Sequence, residues 1–87
     1  MQIDRSLLSV VCKISDIDDL NALFEELFTS AELSDLSLRW KLLKDLYAGM
    51  PQRKIAEKYG ISLCKITRGS KVLKKEGSSV LKILDGL

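Results

Sequence analysis

Histidine is absent from this sequence, proline occurs once (Pro51), cysteine occurs twice, and aromatic residues make up only 6% of the chain. Without histidine the chain lacks the side chain that most often serves as general base or metal ligand near neutral pH. No serine, cysteine or lysine stands in a pattern that pairs a nucleophile with a base, and no glycine-rich loop could cradle a phosphate. An enzyme is therefore not expected. Cys12 and Cys64 lie far apart and match neither a zinc-binding spacing nor a disulfide framework. Two free thiols and no bound metal are expected. No apolar run approaches the roughly 18 residues of a membrane span. The opening MQIDRSLLSVV carries Asp4 in too short an apolar run for a signal peptide, which points to a cytoplasmic protein.

What is present is helical periodicity, almost throughout. Ile3, Leu7, Leu8, Val11 and Ile14 place a first helix over about 3–14. Ser15 or Asp16 caps a second, reaching about Phe28, with Ile17, Leu20, Leu23, Phe24 and Leu27 apolar. Thr29 to Glu32 fits a capping box, opening a third helix that runs to about Tyr47 and ends at Gly49. Pro51 suits the first turn of a fourth helix, which closes at Gly60. Ser62 caps a fifth, to about Lys75. Gly77 to Ser79 breaks the chain before a short last helix with Val80, Leu81, Leu84 and Leu87. The fold class is all-α, with about six helices in one small domain. A chain of 87 residues buries a limited core alone, and dimerisation is a common remedy. Helix two packs Leu20, Leu23, Phe24, Leu27 and Phe28 into nine positions, more than one narrow stripe holds, which favours an extensive dimer over a monomeric bundle.

Net charge is only +2, but it is unevenly spread. Residues 51–75 hold eight basic side chains against Glu57 alone, a net of +7, while residues 1–50 carry a net of −4. Such a segment suits a polyanion, although a solvated charged face would produce the same pattern. The spacing within it is more specific. QRKIAEKYGISLCKITRGSKVL, 52–73, follows the helix-turn-helix plan. Ala56 is small where a second helix crosses, Gly60 occupies the turn, and Ile55, Ile61 and Ile66 form an apolar wedge. Helical spacing then exposes Ser62, Leu63, Lys65, Arg68 and Lys71, with Cys64 and Thr67 near the N-terminal half of the second helix. Groups there can reach base edges and phosphates in a major groove. Gln52 and Arg53, at the start of the first helix of the motif, are placed to hold the DNA backbone. One feature resists the plan: Gly69 sits inside a helix, at a cost of about 1 kcal/mol relative to alanine.

The segment QRKIAEKYGISLCKITRGSKVLK, with ITRGS at 66–70, resembles the Trp repressor family of bacterial transcription regulators. A weaker likeness runs through TSAELSDLSLRWKLLKDLYAG, 29–49. The resemblance implies an intertwined homodimer, with residues 1–49 as dimerisation core, 51–75 as helix-turn-helix and 78–87 as a C-terminal helix. It implies L-tryptophan as corepressor, with the indole between two arginines. Arg39 and Arg68 stand at those positions, Thr29 at the ligand's polar end, and Gly69 beside the ring. Two guanidinium planes can stack on an aromatic ring or address a carboxylate, and a glycine leaves room for the ring. The DNA-facing set is then Gln52, Arg53, Ser62, Leu63, Cys64, Lys65, Thr67 and Lys71. No cofactor beyond the effector is implied; the partners are operator DNA, a second copy of the chain and the small molecule. Val72 stands in place of a serine common in the family, Phe28 in place of a leucine, and Glu26 in place of an apolar residue. A DNA-binding regulator with another effector, or none, is the alternative reading.

Overall fold

The computed structural model describes residues 2–87. Among these residues there are six helices and no strand: α1 (Arg5–Lys13), α2 (Ile17–Leu27), α3 (Ser30–Tyr47), α4 (Gln52–Tyr59), α5 (Leu63–Lys74) and α6 (Ser79–Asp85). Local chemistry sets most of the boundaries. The Asp4 carboxylate accepts from the Ser6 N–H at 2.7 Å and starts α1. Both halves of the capping box form at α3. The Glu32 N–H donates to Thr29 Oγ1 at 3.2 Å, and the Thr29 N–H donates to Glu32 Oε1 at 2.9 Å. Ser78, itself buried, accepts from the Leu81 N–H and starts α6.

Three caps differ from the sequence reading. Asp16 precedes α2 without a side-chain bond, and so does Ser62 before α5. Pro51 stands one position before α4 rather than in its first turn. Its carbonyl accepts from the N–H groups of Lys54 and Ile55, so the proline still serves the helix start while needing no donor of its own.

The chain forms two compact units, one ending at Asp35 and one running from Leu36 to Leu87. This division follows packing and falls inside α3, whereas the sequence-based division at Gly49 follows role. In the first unit neither α1 nor α2 holds a buried residue. Leu7, Val11, Leu20, Leu23, Phe24 and Phe28 are half-buried, and Phe24 and Phe28 meet edge to face with centroids 5.3 Å apart. Ile3, Leu8, Val10, Ile17 and Leu27 are exposed.

The second unit has a dry centre of Leu42, Ile55 and Ile66, ringed by Leu38, Leu43, Leu46, Met50, Ala56, Tyr59 and Ile61. Ile55 and Ile66 are fully enclosed. Each contributes about 1.5–3 kcal/mol through burial. Gly69 is buried on α5 against α3. A Cβ placed there would lie 2.7 Å from Leu42 Cδ1 and 3.2 Å from Leu46 Cδ1. The glycine therefore has a packing reason within the fold: it lets α5 approach the leucines of α3, and this offsets its poor helix propensity.

Candidate nucleic-acid interface

The turn between α4 and α5 is built by Gly60, with φ +63° and ψ 40°. Its N–H and that of Ile61 both return to the Ala56 carbonyl. A left-handed conformation is inexpensive only for glycine, so the helix stops there and the chain reverses. Ile55 and Ile66 are fully buried and Ile61 half-buried, so the apolar wedge read from the sequence is in place. Packing that wedge inward turns the other side of α5 out. Ser62, Leu63, Cys64, Lys65, Thr67, Arg68 and Lys71 are all exposed, as is Arg53 at the start of α4. Gln52 is half-buried, and the Thr67 hydroxyl lies 3.4 Å from its Oε1 and 3.0 Å from the Leu63 carbonyl oxygen. Gln52 and Thr67, assigned separately to DNA contact, are thus brought together across the two helices.

Of the four residues assigned to the effector, Arg39, Arg68 and Gly69 lie in the second unit and Thr29 in the first. Arg39 precedes Leu42 and Leu43 by three and four residues on α3, which places it on the side of that helix that Gly69 approaches. Arg39 and Arg68 are both exposed, and among the described residues neither has a carboxylate within ion-pair distance. The intrahelical pair that Asp35 could offer Arg39 is not formed. Thr29 is occupied with the α3 cap. Val72 is exposed. The two thiols are exposed and unbridged, and no cluster of metal-ligating side chains occurs among the described residues.

Sequence reasoning missed the clamp that holds this surface to α3. Asp45 accepts from the Tyr59 hydroxyl at 2.6 Å and pairs with Lys58 at 3.1 Å. The tyrosine bond, then the lysine, hold the Asp45 carboxyl below its ordinary value. In turn Asp45 pushes the Tyr59 hydroxyl and the Lys58 ammonium up. Two residues further along α3, the Tyr47 hydroxyl donates to Asp85 of α6, and its own titration is pushed up by that carboxylate. These partners lie 13 to 38 residues apart, beyond the reach of periodicity or local motifs.

A helical hairpin with an apolar wedge inside, a polar, cationic outer helix and a clamped first helix has the helix-turn-helix architecture, one that transcription regulators use. The match to known proteins narrows this: residues 3–87 fit the family described as Trp repressor protein, and the chain belongs to that family. It is 37% identical over 71 residues to a Trp operon repressor homolog of Chlamydia trachomatis serovar D, covering 80% of this chain and 76% of that one. It is 35% identical over 65 residues to a Trp operon repressor homolog of Xylella fastidiosa, covering 74% and 71%. A third homolog so named, from Chlamydia caviae, is 35% identical over 68 residues, covering 77% and 67%. No solved structure gives a significant match. The family is one of transcriptional repressors, not of enzymes. No helix among the described residues is long and apolar enough to cross a membrane.

Proposed function

We propose that this chain is a homodimeric, sequence-specific DNA-binding repressor, cytoplasmic, whose affinity for operators of tryptophan-related genes is raised by L-tryptophan. The observation that carries this reading is the exposed basic face of α5 on a packed helix-turn-helix, in a chain of this family. Residues 1–87 then act as one domain with 1–49 as dimerisation core. The exposed apolar side chains of α1 and α2, and the outer stripe Leu36, Trp40 and Tyr47 of α3, support a second copy as their cover. Lys65, Lys71, Arg53 and Gln52 hold phosphates, and Ser62, Leu63, Cys64 and Thr67 face base edges. Dimerisation sets two recognition helices one DNA turn apart, roughly 34 Å, a spacing for which the Trp repressor is itself a reference case. Arg39 and Arg68 take the indole between their guanidinium planes, Thr29 meets the polar end, and Gly69 leaves space beside the ring. The ligand acts only through its preference for the DNA-competent state.

Selection of duplexes from a random library, with and without L-tryptophan, together with calorimetric titration of the amino acid, tests this. A palindromic sequence is expected to emerge only with tryptophan, and Arg68→Ala is expected to lose both the heat of binding and the selection. A second reading, a regulator with another effector or none, draws support from Gly69, whose packing against Leu42 explains the glycine without any ligand. A palindrome selected without tryptophan, and no heat on its addition, would decide for that reading. If no sequence emerges under either condition, DNA reading itself is wrong.

A further inference from the structure

Charge does not account for the first turn of α5. Leu63 is 50% exposed at the first helical position, with the exposed Cys64 beside it. Within residues 61–66 no asparagine or glutamine is present to pair with adenine, and Lys65 is the one side chain that can address guanine O6 and N7, which leaves Leu63 and Cys64 with only apolar or weakly polar surface to offer a base. One turn on, Thr67 shares the face of Leu63. Its single hydroxyl proton goes to the Leu63 carbonyl or to Gln52, so Thr67 keeps lone pairs and a methyl group but no free donor. Exposed cations at Arg53, Lys65 and Lys71 complement a polyanion around this apolar patch. The major-groove edges of the bases carry one apolar group, the C5 methyl of thymine.

We propose that Leu63, with Thr67 one turn further along, reads a thymine methyl at one position in each half-site. This rests on the DNA-reading function proposed above. The geometry favours thymine over the other bases at that position, because an aliphatic side chain gains from burying the methyl and loses by facing an unpaired polar edge.

The test uses the full chain and the duplex it selects. Each thymine is replaced in turn by deoxyuridine, which removes only the methyl group, and affinity is read by fluorescence anisotropy at fixed salt. One position per half-site is expected to lose about fourfold in affinity, the worth of one buried methyl. In Leu63→Ala, whose fold is checked by circular dichroism, the penalty at that position is expected to fall well below fourfold, to the share that Thr67 retains. A wild-type protein indifferent to every deoxyuridine overturns methyl reading, and a penalty unchanged in Leu63→Ala overturns the assignment to Leu63. Either result leaves DNA reading standing. Failure to select any duplex overturns the DNA-reading function, and this proposal with it.

Discussion

Side chains between Arg5 and Leu27 and those between Leu36 and Leu87 have similar apolar character but different fates. The first stretch encloses none of its leucines, valines or phenylalanines fully, although its helices are amphipathic and the Asp4 carboxylate caps α1. The second closes Leu42, Ile55, Ile66 and Leu84 away from water and ties two helices, α4 and α6, with side-chain bonds to the last turn of α3. Local helix formation and core formation are thus separate achievements in this chain. The helix-turn-helix draws stability from its own contacts, while the N-terminal helices leave apolar area exposed.

The contrast is broken most directly by paired substitutions. Ile66→Ala is expected to cost about 2–5 kcal/mol in urea unfolding, since it opens a cavity in a closed core. Leu8→Glu is expected to leave helix content nearly intact while shifting sedimentation toward monomer. If both variants lost equal helicity at unchanged mass, the two units would not differ in the way described. Gly69→Ala sharpens the comparison within the second unit. Its gain in helix propensity is set against a Cβ 2.7 Å from Leu42 Cδ1, which forces that side chain to shift within a core where it is 3% exposed. A net loss of about 1–2 kcal/mol by thermal denaturation is expected. A stabilised variant would mean that α5 and α3 cross loosely.

The smallest effect concerns the Asp45 clamp. Its carboxyl is held below the ordinary value of 3.8, so its stabilisation is fully present above that pH. It is lost as the pH falls through the depressed folded-state value. Asp45→Asn is expected to lower the melting temperature by a few degrees near neutrality and to flatten its decline below about pH 4. Parallel acid profiles of the two proteins would show that the clamp contributes nothing.

Much of this architecture was legible because it is written locally. The Thr29–Glu32 box, the turn at Gly60 and the isoleucine wedge each follow from a few neighbouring residues whose chemistry has one good solution. Caps were less legible. Serine or aspartate at Ser62 and Asp16 is compatible with a helix start whether or not its side chain bonds, and here neither does. Gly69 could be noticed but not explained, because its reason lies on another helix, at Leu42 and Leu46. The bonds from Asp45 and Tyr47 had no signal, since a lone acid or tyrosine on a helix looks solvated until its distant partner arrives. The exposed face of α5 was legible as a surface, and the role of each residue on it is a matter of partner chemistry.

Asp45 and Tyr47 sit two residues apart near the C-terminus of α3, one addressing α4 and the other α6. An α-helix advances about 100° per residue. One residue inserted between Leu42 and Asp45 would swing both side chains by that angle away from their partners while the leucines before them stayed seated. The helix-turn-helix is thus keyed to a residue count. The spacing from Leu42 to Tyr47 is a fixed tooth pitch on which α4 and α6 mesh.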